Sequence, residues 1–264
     1  MRRPIFAFGV VAAFFFFAIV GPALASDPPG HLHLDSPYEP PFGRFFLGTG
    51  DNGIDLLSAL LHGARLAAIV GVSVVSISLA LGAAIGVAAG YYGGKVDQFL
   101  MGLADLVQAI PSIVLNIALL AVVAEPGLAH LIFALSVNGW VIYARVARAS
   151  TLSLRQADFV HAARALGFSD ARLLGRHILP NIAGPLIIQA TSGFGFTILA
   201  ESTLSFLGLG PGKETSWGAL LDQGSAVLLR FPHVALVSGA AIAITVLGFN
   251  LAGDYLRDRL DPRA

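Results

Sequence analysis

Apolar residues along this chain are gathered into long runs, separated by short polar stretches. A helix that crosses a bilayer needs about 20 mainly apolar residues, with a range of roughly 17 to 25. Six segments fall in or near this range: 4–24, 66–90, 106–124, 127–144, 182–206 and 234–253. The runs are too long for membrane strands and lack their period-two alternation. The pattern therefore predicts an all-α integral membrane protein with about six transmembrane helices.

Composition strengthens this prediction. The 264 residues are 56% hydrophobic and only 12% charged, whereas soluble domains carry about 25% charged residues. Sixteen basic residues balance sixteen acidic ones, so net charge indicates neither a nucleic-acid partner nor an acidic one. The chain has no cysteine, which excludes disulfides and thiolate metal sites.

The distribution of lysine and arginine predicts the orientation, because these residues concentrate on the cytoplasmic side. If the N-terminus is cytoplasmic, that side holds twelve of the sixteen basic residues: Arg2, Arg3, Lys95, Arg145, Arg148, Arg155, Arg164, Arg172, Arg176, Arg257, Arg259 and Arg263. The other side keeps Arg44, Arg65, Lys213 and Arg230. We therefore expect both termini and the loop 145–181 in the cytoplasm.

The first segment has two interpretations. Residues 1–26 carry two arginines, an apolar core and a small-residue ending, which also describes a secretory signal peptide. The apolar core of about 20 residues exceeds the usual 7 to 15 of a signal peptide, which favours a retained transmembrane helix. The chain then divides into this helix or signal peptide (1–26), an external segment (27–64) and a transmembrane domain (65–264).

A charged insert, residues 159–181, interrupts the apolar runs with the sequence FVHAARALGFSDARLLGRHILPN. Ala162 and Ala163 keep a first short helix narrow, and Gly167 is placed to end it. Ser169 suits the N-cap of a second short helix, which Pro180 is expected to stop. A short rigid helix of this kind can dock in a partner's groove. The alternative is an amphipathic helix on the lipid surface, which would explain the arginines but not the small residues.

This insert resembles the "EAA" loop of bacterial ABC-importer permeases. The matching residues are Ala162, Ala163, Gly167, Ile178 and Pro180, with His161 where the motif has Glu. Histidine there is interpreted as a tolerated contact residue rather than a pH sensor. Three further segments, 47–67, 196–221 and 247–263, resemble the "GTDxxGRDxxSRxxxGaR", "AESxLSFLGLG…WG" and "LGFNLLGDxLRDxLDPR" signatures of the dipeptide/oligopeptide/nickel permease group. The first of these is the weakest copy, since Gly50, Ile54 and Ala59 replace an Asp and two Arg.

The resemblance implies a C-type permease subunit of a binding-protein-dependent ABC importer in the bacterial inner membrane. Its expected partners are a second permease subunit in a heterodimer, two ATP-binding subunits and an external solute-binding protein. His161, Ala162, Ala163, Gly167, Ile178 and Pro180 would then form the coupling helix for the ATPase. Peptides are the expected cargo, with nickel or other small solutes as the alternative. A secondary transporter or channel acting alone is the rival class, but it would need intramembrane charges.

Glu201 is the one carboxylate deep within a predicted membrane helix. Ionisable residues at this depth are costly and usually functional. Because the surrounding signature accompanies different cargoes in the family, we expect Glu201 to form an interhelical hydrogen bond or to act in gating. Gly82, Gly86 and Gly90 form a small-residue face, for which packing within the subunit is favoured over contact with another subunit.

Two other motifs predict no site. Residues 210–215 lack the GxxxxGK[ST] spacing of a phosphate-binding loop, so no nucleotide site, enzymatic activity or cofactor is expected. His31 and His33 with Asp35 offer metal-ligating atoms, but such groups in an external loop are usually solvated. The sequence therefore predicts no metal site.

Overall fold

The computed structural model describes residues 2–212 and 214–260. Lys213 and the last residues of the tail signature, 261–263, lie outside the described residues. The side of the membrane expected for Lys213 and for Arg263 therefore stays a prediction from the sequence. The described residues form ten α-helices: α1 (Arg2–Leu24), α2 (Leu56–Tyr92), α3 (Gly94–Gln108), α4 (Ser112–Ala121), α5 (Leu128–Arg155), α6 (Asp158–Ala165), α7 (Asp170–Leu173), α8 (Leu179–Phe206), α9 (Trp217–Ala226) and α10 (Pro232–Leu260). A 3₁₀ turn covers Asp51–Gly53, and a π turn covers Leu174–Ile178.

Five helical stretches within the described residues are long and apolar enough to cross a membrane: Ile5–Leu24, Leu56–Tyr92, Leu128–Arg155, Asp170–Phe206 and Pro232–Leu260. The count becomes six if α3 and α4 together make one broken span. The prediction of an all-α membrane protein with about six spans is confirmed.

The third predicted span is a bent pair of helices rather than one continuous helix. In place of a helix over 106–124, α3 ends at Gln108, and α4 starts at Ser112 with its axis turned by 77°. Pro111 occupies the N-cap position of α4, in extended geometry (φ −52°, ψ 130°). Proline has no N–H and disfavours helical geometry in the residue before it, so the chain turns here.

The second span begins earlier than the prediction at residue 66. Asp55 caps α2 by accepting hydrogen bonds from the backbone N–H groups of Leu57 and Ser58. Its 37 residues extend about 55 Å at roughly 1.5 Å per residue, well beyond a hydrocarbon core of about 30 Å. The polar residues of its first turns hid this start, because hydropathy detects only the part suited to lipid.

The small-residue face of α2 packs against α5 within the subunit. A Cβ atom at Gly90 would lie 2.8 Å from the carbonyl oxygen of Arg148, and one at Gly82 or Gly86 would overlap α5 backbone. Since such separations are too short for any larger side chain, these glycines allow the two helix backbones to approach closely. The interpretation as internal packing is confirmed.

An aromatic cluster holds the other side of the bundle together. Phe14 of α1 packs with Phe194 of α8, Trp217 of α9 and Phe249 of α10. The rings of Phe194 and Phe249 are stacked with centroids 4.4 Å apart, and Phe14 meets both edge-on. The core therefore joins the first helix of the described chain to the last.

Candidate functional site

The first short helix of the 159–181 insert ends at the predicted glycine. Gly167 has φ +79°, in the left-handed region that glycine adopts without steric cost. Its N–H donates to the carbonyl oxygen of Arg164 at 2.9 Å, and the N–H of Phe168 donates to that of Ala163 at 3.1 Å. This pair of hydrogen bonds is a Schellman motif, which fixes the direction of the chain after α6.

The second short helix does not stop at Pro180, contrary to the prediction. α7, the π turn over Leu174–Ile178 and α8 form one helical stretch. Pro180 lies in the first turn of α8. The π turn lies directly before it, where a missing N–H and the proline ring would otherwise disrupt the α-helix. Ser169 occupies the N-cap position of α7, but its side chain makes no capping hydrogen bond.

The predicted insert residues fall into two sets. Ala163 and Ile178 are buried, and Ile178 packs with Val87 and Tyr91 of α2 and with Ala147 of α5. The exposed set is His161, Ala162, Gly167 and Pro180. Beside them, Leu166 is 76% exposed and Phe159 is also exposed. One set thus attaches the insert to the bundle, and the other presents a surface with apolar side chains.

Tyr91, which sequence reasoning missed, fastens the insert to the end of α2. Its hydroxyl donates to Oδ1 of Asp170, and the guanidinium of Arg164 lies 5.0 Å from the centroid of its ring. The side chain is buried. Its position near the end of a long apolar run was the available signal, but only the fold reveals both partners.

Two ion pairs join α5 to α3 near the same end of the bundle. Arg148 forms a two-point contact with Asp97, with Nη2 and Oδ2 2.6 Å apart. Arg145, one turn away, donates to Oδ1 of Asp105 at 2.8 Å. In the sequence both arginines serve only as signals of orientation. In the structure they also fix α3 against α5.

A cavity of about 710 Å³ lies between α2, α4, α5 and α8. Its polar lining consists of amide and hydroxyl side chains: Ser78, Gln108, Ser112, Asn116, Asn138, Tyr143, Gln189, Ser192, Thr197, Thr203 and Asn250. None of its described lining residues is Asp, Glu, Lys, Arg or His. Asn138 donates to the side-chain oxygen of Asn116 at 2.8 Å. The cavity therefore offers hydrogen-bond donors and acceptors without a formal charge.

Glu201 lies outside that lining and is only 1% exposed. Its carboxyl group accepts hydrogen bonds from the hydroxyls of Ser205 (2.7 Å), Ser216 (2.8 Å) and Ser202 (3.3 Å). Ser216 is the N-cap of α9 and accepts from the N–H of Gly218. Glu201 therefore links α8 to the start of α9. We call Glu201, Ser202, Ser205 and Ser216 the α8–α9 junction.

The fold and these sites define a helical membrane-spanning subunit with an uncharged polar cavity and an exposed helical insert. Residues 82–264 match the family described as the binding-protein-dependent transport system inner membrane component. The chain belongs to this family.

Curated relatives match almost the whole chain. The dipeptide transport system permease protein DppC of Alkalihalophilus pseudofirmus is 36% identical, over 96% of this chain and 84% of that protein. The oligopeptide transport system permease protein OppC of Bacillus subtilis is 34% identical, over 96% and 83%. The glutathione transport system permease protein GsiD of Pectobacterium atrosepticum is 35% identical, over 90% and 79%.

A solved structure shares the fold at low identity. The crystal structure of an amino acid ABC transporter with histidines aligns with a TM-score of 0.58 and 16% identity, covering 76% of this chain and 94% of that one. Family membership and fold together make this chain a multi-pass permease subunit of an ABC transport system. ATP binding and solute capture belong to partner proteins of such a system.

Proposed function

We propose that this chain is one half of a heterodimeric permease that carries peptides into the cytoplasm. The names of the relatives support peptide cargo, since they specify dipeptides, oligopeptides and glutathione. The uncharged cavity supports it independently. A peptide backbone presents N–H donors and C=O acceptors at every residue, and amide side chains such as Asn116 and Asn138 match both kinds of group.

The cavity supplies one wall of the translocation path, and the second permease subunit supplies the other. A lining without formal charge accepts peptides whose side chains differ in charge, because no fixed charge repels them. Selection of cargo then belongs mainly to the external solute-binding protein.

The 159–181 insert is the docking element for an ATP-binding subunit. Leu166, Phe159 and Ala162 present an apolar and narrow exposed surface suited to a groove. The contacts of Tyr91 with Asp170 and Arg164 carry motion of the insert into α2. The concentration of basic residues at this end of the bundle supports a cytoplasmic location for the insert and both termini.

The observation that carries the coupling role is the exposed insert, which is attached to α2 through Tyr91 and packs on α2 and α5 through Ile178. Uptake of a labelled dipeptide by cells that express the complete transporter tests the cargo. Excess unlabelled dipeptides and tripeptides should compete, whereas Ni²⁺ should not. Asn138→Leu, in the cavity, should lower uptake, and Phe133→Leu, exposed elsewhere on α5, should leave it unchanged. Uptake of Ni²⁺ without peptide uptake would contradict peptide cargo.

A further inference from the structure

Three side chains in the segment between α1 and α2 bring metal-ligating atoms together. Nε2 of His33 lies 2.9 Å from Oδ2 of Asp27, and Nδ1 of His31 lies 3.6 Å from Oδ1 of the same carboxylate. All three residues offer a ligand atom within 4.8 Å of the others. We propose that Asp27, His31 and His33 form a binding site for a divalent transition-metal ion, with Zn²⁺ as the best match.

The donor set and its spacing fit this ion. Zn²⁺ accepts imidazole nitrogen and carboxylate oxygen at about 2.0–2.2 Å, which places tetrahedral donors about 3.4 Å apart. The separations of 2.9 Å and 3.6 Å run to different oxygens of Asp27 and lie on either side of that value. Binding of the ion would replace the hydrogen bond between His33 and Asp27 and require side-chain rotations that bring one donor atom from each residue to this spacing. Two imidazoles also disfavour Ca²⁺ and Mg²⁺, which prefer oxygen ligands.

Asp27 is held in place by two residues of α2. Its backbone N–H donates to Oγ of Ser58 at 3.2 Å, and Nε2 of His62 donates to its carbonyl oxygen at 3.1 Å. The side chains of Asp27 and His33 are only 18% and 17% exposed. These contacts fix the backbone from which the Asp27 carboxylate extends. A fully solvated loop would provide neither the burial nor the support.

The structure selects a different carboxylate from the one nearest in the sequence. The side chain of Asp35 is 74% exposed and faces Arg44 at 3.7 Å, away from the cluster of ligands. Asp27 is more distant from His33 in the sequence than Asp35 is, but the fold brings the side chains of Asp27 and His33 into contact. Sequence proximity therefore paired the two histidines with the wrong acidic residue.

A cavity of about 260 Å³ adjoins this cluster, and Asp27, His31, His62 and Glu214 are among the residues that line it. It leaves room for water or a small ligand at a fourth coordination position, the arrangement of a three-ligand zinc site. A bound ion would join residue 27, just after α1, to the loop that leads into α2. The structure of the segment between α1 and α2 would then depend on the metal.

The full-length protein in lipid nanodiscs, purified with a histidine-free tag and treated with chelator, provides the test. Calorimetric titration with Zn²⁺ should give one ion per chain, and X-ray absorption should show two imidazole nitrogens in the first coordination shell. Asp27→Asn, His33→Gln and His31→Gln should each weaken binding by at least about tenfold. His31 is exposed, so its substitution tests the site without disturbing packing.

Asp35→Asn is the matched control, because it removes a carboxylate from the same segment but not from the cluster. It should bind Zn²⁺ like the unmodified protein. Absence of saturable binding, or equal affinity in the Asp27, His31 and His33 variants, would overturn the proposal. The readout is metal binding rather than uptake, so the outcome is independent of the proposed cargo and of coupling.

Discussion

The 159–181 insert and the α8–α9 junction place their polar residues in opposite ways. In the insert, the inner side is apolar, with Ala163 and Ile178 buried, and the polar side chain of His161 lies outside. In the junction, the carboxyl group of Glu201 is buried among serine hydroxyls. The insert thus exposes residues that are free for the proposed contact with an ATP-binding subunit, whereas the polar groups of the junction are satisfied within this chain.

α8 connects the two regions. It starts at Leu179, directly after the π turn of the insert, and ends at Phe206, directly after Ser205 of the junction. Its 28 residues extend about 42 Å at roughly 1.5 Å per residue. Displacement of the insert by a partner would therefore reach the junction through one continuous helix. The following variants test each end in turn, from the largest expected effect to the smallest.

The largest effect is expected from Ala163→Glu in the insert. Ala163 is buried, and an unpaired charge is costly to bury, so the inner side of the insert should detach from the bundle. ATP-dependent peptide uptake should fall to background while membrane insertion persists. Ala165→Glu adds the same charge at an exposed position of the same helix and should retain more activity. Normal uptake and normal co-purification of ATP-binding subunits with Ala163→Glu would contradict the coupling role.

Glu201 tests the junction. Glu201→Ala leaves three buried serine hydroxyls without their acceptor, at a cost of about 1–3 kcal/mol for each group left unsatisfied, and uptake of every cargo should drop strongly. Glu201→Gln keeps an acceptor oxygen and should transport nearly normally. Glu125→Ala, at an exposed position, serves as the control. Loss of only one class of peptide in Glu201→Gln would mean that Glu201 recognises cargo instead.

A smaller effect is expected from Tyr91→Phe, which removes the hydroxyl that bonds to Asp170 and keeps the ring beside Arg164. One hydrogen bond to a charged group contributes about 1.5–3 kcal/mol. Uptake should fall severalfold with little change in protein level. Tyr92→Phe, at the exposed neighbour, should have no effect. Equal activity in both variants would show that the hydroxyl does not attach the insert.

The spanning helices were largely predictable because a run of about 20 apolar residues matches the thickness of a bilayer and is rare in soluble domains. The end of α6 was also predictable, since Gly167 alone in its neighbourhood suits a left-handed conformation. A break at Pro111 also follows from the chemistry of proline, and α4 begins directly after it. The continuity through Pro180 was not predictable, because the sequence does not reveal the π turn that precedes this proline.

Partners distant in the sequence were beyond prediction. Glu201 was identifiable as a buried carboxylate, but its contact with Ser216 depends on how the chain returns into α9. Tyr91 and Asp170 meet across 79 positions. The choice of Asp27 over Asp35 likewise depends on the hydrogen bonds from α2. Composition and periodicity describe single segments, whereas these contacts depend on how the segments pack.

Site-directed cross-linking tests the central claim that the insert docks on an ATP-binding subunit. The chain has no cysteine, so Leu166→Cys and Leu229→Cys each introduce a single thiol into it at a strongly exposed leucine. In membranes that contain the complete transporter, a thiol-to-amine cross-linker should join Leu166→Cys to an ATP-binding subunit. It should form no cross-link between Leu229→Cys and that subunit. A cross-link from Leu229→Cys and none from Leu166→Cys would contradict the account.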